Sequence, residues 1–248
     1  MNTWELTAIQ VSTVYTTDTL RYHECLEPYE IKGWCIAATD GNHKILVDTG
    51  IDAGCFAWIK ENVDAKIRQT PQMETVTAVR NIVGWEPEDV DIIINTHLHY
   101  DHCGSNRYFP NAVIYVQRKE YEAAFDPASP QKQLYATRFF DKKAISYFRW
   151  RFLDGEAEIL PGVICLPTPG HTYGHQSVLF NTVNGSVCVA GDAATTLENI
   201  RQNIEMGVSV DSKTVLESFQ KIRIRADFII PAHEAAISNG TKTDFPMI

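Results

Sequence analysis

A segment that starts at residue 97 carries four side chains able to bind a metal ion. The sequence NTHLHYDHCG at residues 95–104 places His97, His99, Asp101 and His102 within six residues. An apolar run typical of a buried strand precedes it, and a loop that leaves a strand can turn several side chains towards one point. Imidazole and carboxylate together suit Zn²⁺, Fe or Mn²⁺ better than Ca²⁺ or Mg²⁺. The segment therefore predicts a transition-metal site.

Three further residues of ligand type follow later predicted strands. His171 comes after the turn PTPG, Asp192 after a glycine, and His233 after Pro-Ala. Functional sites in α/β proteins are usually assembled where strands end along one edge. One histidine in such a position is most often a structural hydrogen-bonding group, but five of the eight histidines of this chain occupy one. We therefore predict one shared metal site, formed by His97, His99, Asp101, His102, His171, Asp192 and His233.

The elements that must position these residues are short β-branched runs separated by helical patterns, without an internal repeat or a linker. A helix is predicted at residues 75–83, with Gly84 as its C-cap, and another at 211–224, with Asp211 as its N-cap. Two strand-rich blocks with interspersed helices predict one α/β domain over residues 1–248, in which two packed sheets are covered by helices. The predicted strands are residues 9–15, 44–48, 91–95, 113–116, 163–166, 177–180, 186–190 and 227–230.

Residues 126–155 interrupt this pattern because they are aromatic and basic in an acidic chain. We interpret them as an amphipathic helical insertion packed on the core. Tyr, Trp, Phe and Arg are enriched at binding surfaces, so a lid over the site and a homodimer contact are the functional alternatives.

Composition excludes several classes of protein. The net charge is −9 and the pI is about 5.3, whereas a nucleic-acid-binding protein needs a basic face. Neither a membrane-spanning apolar run nor the pattern of a signal peptide is visible, so we expect no membrane partner and a cytoplasmic location. The six cysteines form no CxxC pair, and we expect reduced, mostly buried thiols.

The motifs resemble those of the metallo-β-lactamase superfamily. The resemblance rests on His-x-His-x-Asp-His, on Thr-Pro-Gly-His and Gly-Asp, and on the final Ala-His, which occur in order between residues 44 and 233. It implies a four-layer αββα sandwich with the metals at one edge of the sheets. The segment Asp48-Thr49-Gly50 is similar to an early turn of that family, whose aspartate would orient a ligand through a hydrogen bond.

Within the superfamily the chain looks most like the N-acyl-homoserine lactonases. The spacing of 21 residues from His171 to Asp192 (192 − 171) and the segments at 106–112 and 117–121 carry this resemblance. A further segment around His175 is shared with thioesterases of the glyoxalase II type, and His175 matches a position that is not a ligand. The resemblance implies a first metal held by His97, His99 and His171, a second held by Asp101, His102 and His233, and Asp192 bridging them.

The activity so implied is the opening of a small-molecule lactone by a hydroxide that bridges two divalent metal ions, as in quorum-quenching enzymes. Zn²⁺ is the first expectation, and Fe²⁺, Mn²⁺ and Co²⁺ are compatible with these ligands. Asp101 and Asp192 would be the catalytic residues, with Asp101 as proton shuttle. Thr195 stands where the lactonases carry a substrate-binding tyrosine. Thr195, Tyr100 and Tyr173 are the candidate substrate contacts: either Tyr100 or Tyr173 replaces that tyrosine, or the substrate is different. The alternatives are a cyclic amide, an imide or a thioester as substrate, and a metal-binding protein without turnover.

Overall fold

The computed structural model describes residues 3–16, 29–63, 66–141, 143, 145–242 and 245–247. Two β-sheets lie at the centre of this part of the chain, and helices cover their outer faces. The strands are β1 (Glu5–Thr16), β2 (Tyr29–Thr39), β3 (Lys44–Val47), β4 (Lys66–Arg68), β5 (Ile92–Ile94), β6 (Val113–Gln117), β7 (Arg149–Leu153), β8 (Ala157–Leu160), β9 (Val163–Pro167), β10 (Gln176–Thr182), β11 (Gly185–Gly191) and β12 (Phe228–Pro231). The helices are α1 (Phe56–Asn62), α2 (Thr75–Val83), α3 (Tyr100–Cys103), α4 (Arg118–Ala123), α5 (Leu197–Gln202) and α6 (Ser212–Arg225).

The two sheets differ in size and share one core. The seven-stranded sheet has the order β4-β1-β2-β3-β5-β6-β7, and the five-stranded sheet has the order β12-β11-β10-β9-β8. Strands β3, β5, β6 and β7 run parallel to one another, as do β11 and β12. The inner parallel strands β3 and β5 are buried on both faces, which explains their continuous apolar sequences.

Alternating side chains of the strands pack in different layers of the sandwich. Ile36 and Phe180 belong to the core between the two sheets, whereas Leu46 faces α2 on the outer side of the large sheet. Phe219 of α6 packs on the outer side of the small sheet. The result is the helix–sheet–sheet–helix order of an αββα sandwich, so the predicted fold class is confirmed.

Both predicted helices are present. Helix α2 ends where expected because Gly84 adopts a left-handed conformation with φ of 73°, which costs glycine less than any other residue. Helix α6 begins after Asp211, whose carboxylate accepts a hydrogen bond from the backbone N–H of Thr214. All eight predicted strands overlap observed ones, but β2, β4, β7 and β8 were missed. In β2, Gly33 interrupts the apolar pattern because a side chain there would collide with Ser12 of β1.

The interpretation of residues 126–155 as an amphipathic helix was wrong. The described part contains two short 3-10 turns, Ser129–Gln131 and Thr137–Phe139, followed by β7 at the edge of the large sheet. In β7 the exposed Arg149 and Arg151 alternate with the half-buried Trp150 and Phe152, which is the two-residue period of a strand.

The described cysteines are all free and buried, in agreement with the prediction of reduced thiols; they are Cys35, Cys55, Cys103, Cys165 and Cys188. The sixth, Cys25, lies outside the described residues. Within those residues the longest helix, α6, has 14 residues, and no helix has the length and apolarity needed to cross a bilayer.

Candidate metal centre

The ends of four strands bring the predicted ligands together at one edge of the sandwich. His97, His99 and the helical turn α3 follow β5, while the other three ligands follow β9, β11 and β12. Six of the seven residues are buried, and Asp101 is intermediate. Candidate ligand atoms form three compact groups, in each of which they lie within 4.8 Å of one another. The groups are His97, His99 and His171; His97, His102 and Asp192; and Asp101, His102 and His233.

The first cluster consists of three imidazole rings. Nδ1 of His99 lies 3.0 Å from Nε2 of His97 and 3.2 Å from Nε2 of His171. Each neutral ring carries one protonated and one unprotonated nitrogen. Three ring nitrogens directed at one point can all act as lone-pair donors to a single cation, which is the arrangement of a three-histidine metal site.

The second cluster combines two rings with carboxylates. Nε2 of His102 lies 3.8 Å from Oδ2 of Asp101, and Nε2 of His233 lies 3.9 Å from the same oxygen. Asp192 stands between the clusters: its Oδ1 lies 3.4 Å from Nε2 of His102 and 3.3 Å from Nε2 of His233. Its Oδ2 lies 3.3 Å from Nε2 of His171 in the first cluster. One carboxylate therefore faces both clusters.

Asp48 orients one ring of each cluster. Its Oδ2 accepts a hydrogen bond from Nδ1 of His102 at 2.8 Å. It also accepts one from the hydroxyl of Thr96 at 2.7 Å, and that hydroxyl lies 3.1 Å from Nδ1 of His97. These contacts direct Nε2 of both rings into the site, which is the role expected for Asp48.

Backbone carbonyl groups orient two other rings. Nδ1 of His171 donates to the carbonyl of Val208 at 2.6 Å, and Nδ1 of His233 donates to the carbonyl of Lys32 at 2.8 Å. The backbone N–H of His233 in turn donates to the carbonyl of Thr195 at 2.9 Å. Elements distant in sequence therefore fix the orientation of these rings.

The electrostatics divide the site in two. Burial, together with neighbouring imidazoles, holds the pKa of His97 and of His99 well below the ordinary value. Burial also disfavours the charged forms of His102 and His233, but nearby carboxylates, above all Asp192, outweigh it and raise the pKa of both. The first cluster is thus poised as neutral lone-pair donors and the second is rich in negative charge.

The unsatisfied atoms of the site fit metal ions. Among the described residues, Nε2 of His102 and Oδ1 of Asp192 are buried and have no hydrogen-bond partner. Leaving such atoms unpaired costs free energy, so native proteins satisfy them with protein, water or an ion. Ring nitrogens and carboxylate oxygens at this spacing match the donor set of two divalent transition metals.

The three candidate substrate contacts occupy different places. Tyr100 is buried against the ring of Trp58, and burial, with Asp101 and Asp192 nearby, raises the pKa of its phenol. Thr195 is also buried. Tyr173 is 42% exposed and lines a cavity of about 350 Å³. His233 instead lines a separate cleft of about 490 Å³, so the structure does not bring Tyr173 into the cleft beside the second cluster.

Sequence reasoning missed two residues that contact the ligand loops. Glu120 is buried in α4, and Tyr135 lies in the segment after that helix. The phenol of Tyr135 donates a hydrogen bond to Oε1 of Glu120 at 2.9 Å. Burial raises the pKa of Glu120, and the groups that donate to it act in the opposite direction. The sequence drew attention to the segments that contain them, 117–121 and 126–155, but a carboxylate in a short helix is ordinarily solvated, so no site role was predicted for either residue. His175 lies beside the first cluster with its Nδ1 3.0 Å from the hydroxyl of Thr168, and burial lowers its pKa to about 3.

Comparison with known proteins identifies relatives over most of the chain. Residues 29–233 match the family model of the metallo-beta-lactamase superfamily. An N-acyl homoserine lactonase of Bacillus sp is 33% identical over 203 residues, which cover 79% of this chain and 77% of that protein.

Solved structures of N-acyl homoserine lactone hydrolases superpose on this chain. An N-acyl homoserine lactone hydrolase with N-hexanoyl-L-homoserine bound at its catalytic metal center superposes with a TM-score of 0.81 and 26% identity, covering 95% of both chains. A quorum-quenching N-acyl homoserine lactone hydrolase superposes with a TM-score of 0.79 and 28% identity, covering 95% of this chain and 94% of that one.

Proposed function

Because this chain belongs to the metallo-beta-lactamase superfamily, we propose that it is a metal-dependent lactonase whose substrates are N-acyl homoserine lactones. The observation that carries the proposal is the placement of Asp192 between two clusters of three ligands each. The relatives named as N-acyl homoserine lactonases supply the substrate class. Opening such lactones would make the protein a quorum-quenching enzyme.

We assign the metals by cluster. His97, His99 and His171 would hold the first ion, Asp101, His102 and His233 the second, and Asp192 would contact both. When bound, the two divalent ions lower the pKa of a coordinated water and polarise the substrate carbonyl. Zn²⁺ is our proposed native metal because it is commonly bound by histidine and carboxylate in open hydrolytic sites.

The side chains of the protein handle the proton and the carbonyl. Hydrolysis forms a bond between water oxygen and the lactone carbon, breaks the ring C–O bond and leaves the ring oxygen in need of a proton. Asp101 is the less buried carboxylate of the site, so we assign it the transfer of a proton from the attacking water to the leaving oxygen. The products are a hydroxyl group and a carboxylic acid, which releases one proton to solvent at neutral pH.

Tyr100 is our candidate for the group that binds the carbonyl oxygen. Its pKa is raised, so the phenol stays protonated and can donate. The cleft of about 490 Å³ that His233 lines together with Thr196, Leu197 and Arg201 is our candidate for the route by which an ester would approach the second cluster. Thr195 would then contribute through its backbone, which already holds His233.

The experiment is a proton-release assay on protein of measured metal content. The panel contains N-hexanoyl and N-decanoyl homoserine lactones, γ-butyrolactone, an aromatic fused lactone, a cyclic imide and a thioester. We expect rapid opening of the acyl homoserine lactones that stops on chelation and returns with Zn²⁺. Silence on every lactone, with two ions bound per chain and turnover of the imide or thioester, would refute the lactonase assignment and leave the metal site in place.

A further inference from the structure

A buried carboxylate outside the metal site joins the two loops that carry the first set of ligands. Glu120 follows β6 in the first turn of α4 and is fully buried. Its Oε1 accepts a hydrogen bond from the backbone N–H of Leu98 at 3.0 Å, and Leu98 stands between His97 and His99. Its Oε2 accepts one from the hydroxyl of Thr172 at 2.6 Å, and Thr172 directly follows His171.

Each oxygen of the Glu120 carboxylate accepts two hydrogen bonds. Oε1 receives the Leu98 N–H and the phenol of Tyr135 at 2.9 Å, while Oε2 receives the Thr172 hydroxyl and the backbone N–H of Gly174 at 3.2 Å. Each oxygen thus takes one backbone N–H and one hydroxyl. The two backbone N–H groups can only donate, and the two hydroxyls can donate as well, so this arrangement suits an acceptor-only carboxylate.

The close approach of the second loop to Glu120 is itself built into the sequence. A side chain at Gly174 would overlap the backbone of Glu120. Glycine at this position therefore lets the loop of His171 come within hydrogen-bond distance of the carboxylate.

Tyr135 extends the connection to a ligand ring. Its ring meets the imidazole of His99 edge to face, with 4.6 Å between centroids, while its hydroxyl donates to Glu120. Gln131, from the same segment, donates to the carbonyl of His171. The aromatic and basic segment at residues 126–155 therefore contacts the first cluster through Tyr135 and Gln131.

The charge of Glu120 lacks a cationic side chain to balance it. No lysine, arginine or histidine of the described residues forms an ion pair with Glu120. The four hydrogen bonds offset part of the cost of burying this charge, but among the described residues no opposite charge does. Two divalent ions in the adjacent site would provide that compensation, so the carboxylate and the ions would favour each other.

We infer that Glu120 is a positioning residue that fixes the His97–His99 loop against the His171 loop and thereby sets the geometry and affinity of the first metal site. This inference rests on the proposed metal site but not on the lactone as substrate. Residues that orient ligands from outside typically change metal affinity or activity by about 10–100-fold when they are replaced.

The test is the variant Glu120→Gln, measured first by metal binding. Glutamine keeps the shape and removes the charge, but in either orientation its amide N–H₂ faces a backbone N–H, of Leu98 or of Gly174. We expect affinity for the first Co²⁺ ion, measured by chelator competition on the metal-free protein, to fall about 10–100-fold. The visible absorption of bound Co²⁺ should also change because the ligand rings are held differently.

Glu122→Gln is the matched control, because Glu122 is exposed on the same helix, and it should leave affinity and spectrum unchanged. Tyr135→Phe removes a single hydroxyl and serves as the test if Glu120→Gln fails to fold. It should weaken Co²⁺ binding and alter the Co²⁺ spectrum in the same direction, but by less. Unchanged Co²⁺ affinity and spectrum in a folded Glu120→Gln or Tyr135→Phe variant would overturn the inference. Failure of the proposed function looks different: wild-type protein would bind two ions and leave lactones intact.

Discussion

Replacing Asp48 with asparagine tests whether ring orientation, rather than ligand identity alone, creates the second metal site. Asp48 has a left-handed backbone conformation with φ of 55°, and asparagine tolerates that region as well as aspartate does. The substitution therefore changes hydrogen bonding and charge without adding backbone strain.

The hydrogen bonds decide what the new amide can do. Oδ1 of Asp48 accepts from the backbone N–H of Thr96 at 2.8 Å, and Oδ2 accepts from Nδ1 of His102 at 2.8 Å. If the amide N–H₂ takes the first place, the Thr96 N–H loses its acceptor. If it takes the second, His102 keeps the hydrogen bond only by moving its proton to Nε2, the nitrogen that we assign to the metal.

Either outcome has a calculable size. An unpaired buried donor costs about 1–3 kcal/mol of folding free energy, and a wrongly oriented or protonated ligand costs about 10–100-fold in metal affinity. We expect Asp48→Asn either to lose about 1–3 kcal/mol of folding free energy in urea unfolding or to bind the second ion about 10–100-fold more weakly in chelator competition. In the second case the variant should need excess metal for turnover. Asp126→Asn, at an exposed loop position, is the control. Wild-type stability, affinity and turnover in Asp48→Asn would refute this reasoning.

Other consequences can be measured on the same preparations. His97→Ala and Asp192→Asn should each abolish lactone hydrolysis while circular dichroism shows a retained fold; full activity in either metal-analysed variant would remove the two-metal hypothesis. Tyr100→Phe should lower kcat by about 10²–10³-fold if its phenol stabilises the developing oxyanion, and an unchanged kcat would exclude that role. Protein at a free metal concentration near 100 times Kd should be more stable than chelated protein by about 2.7 kcal/mol of unfolding free energy per bound ion. The difference should appear as a lower Tm after chelation, and an unchanged Tm would contradict metal binding by the folded state. Gly84→Ala should cost about 1–2 kcal/mol in unfolding free energy, because the φ of 73° is a left-handed conformation that a Cβ disfavours, and should leave activity unchanged; no clash adds to this cost because nothing lies within 4 Å of a Cβ at this position, and an unchanged unfolding free energy would contradict the prediction.

The sequence was informative where chemistry and periodicity coincide. Ligand-type residues after apolar runs were enough to predict that His171 and His233 meet a segment more than 60 residues away, because strands of one sandwich end at a common edge. The two helices were predicted with their caps because Gly84 and Asp211 satisfy local backbone requirements that a sequence displays directly.

What the sequence could not reveal depends on contacts between distant segments. The alternation of Arg149 and Arg151 with Trp150 and Phe152 indicates a strand, but its aromatic and basic composition suggested a helix instead. Glu120 lies in a segment that carried the family resemblance, but its role could not be predicted because its four hydrogen-bond partners come from three separate segments. A carboxylate in α4 is ordinarily solvated, and only tertiary packing makes it internal.

The buried polar atoms of the metal site reduce the folding stability that the same positions could otherwise provide. Rings of the first cluster are held neutral by burial, and those of the second are held near carboxylates whose oxygens lack full hydrogen bonding. Gathering these polar groups in a buried site costs folding free energy, because each loses contact with water and must find other partners. Partners outside the site, among them Asp48 and the carbonyl groups of Val208 and Lys32, nevertheless hold the rings in place. The cost of ordering the ligands is therefore met during folding, so the free energy of metal binding is available for affinity.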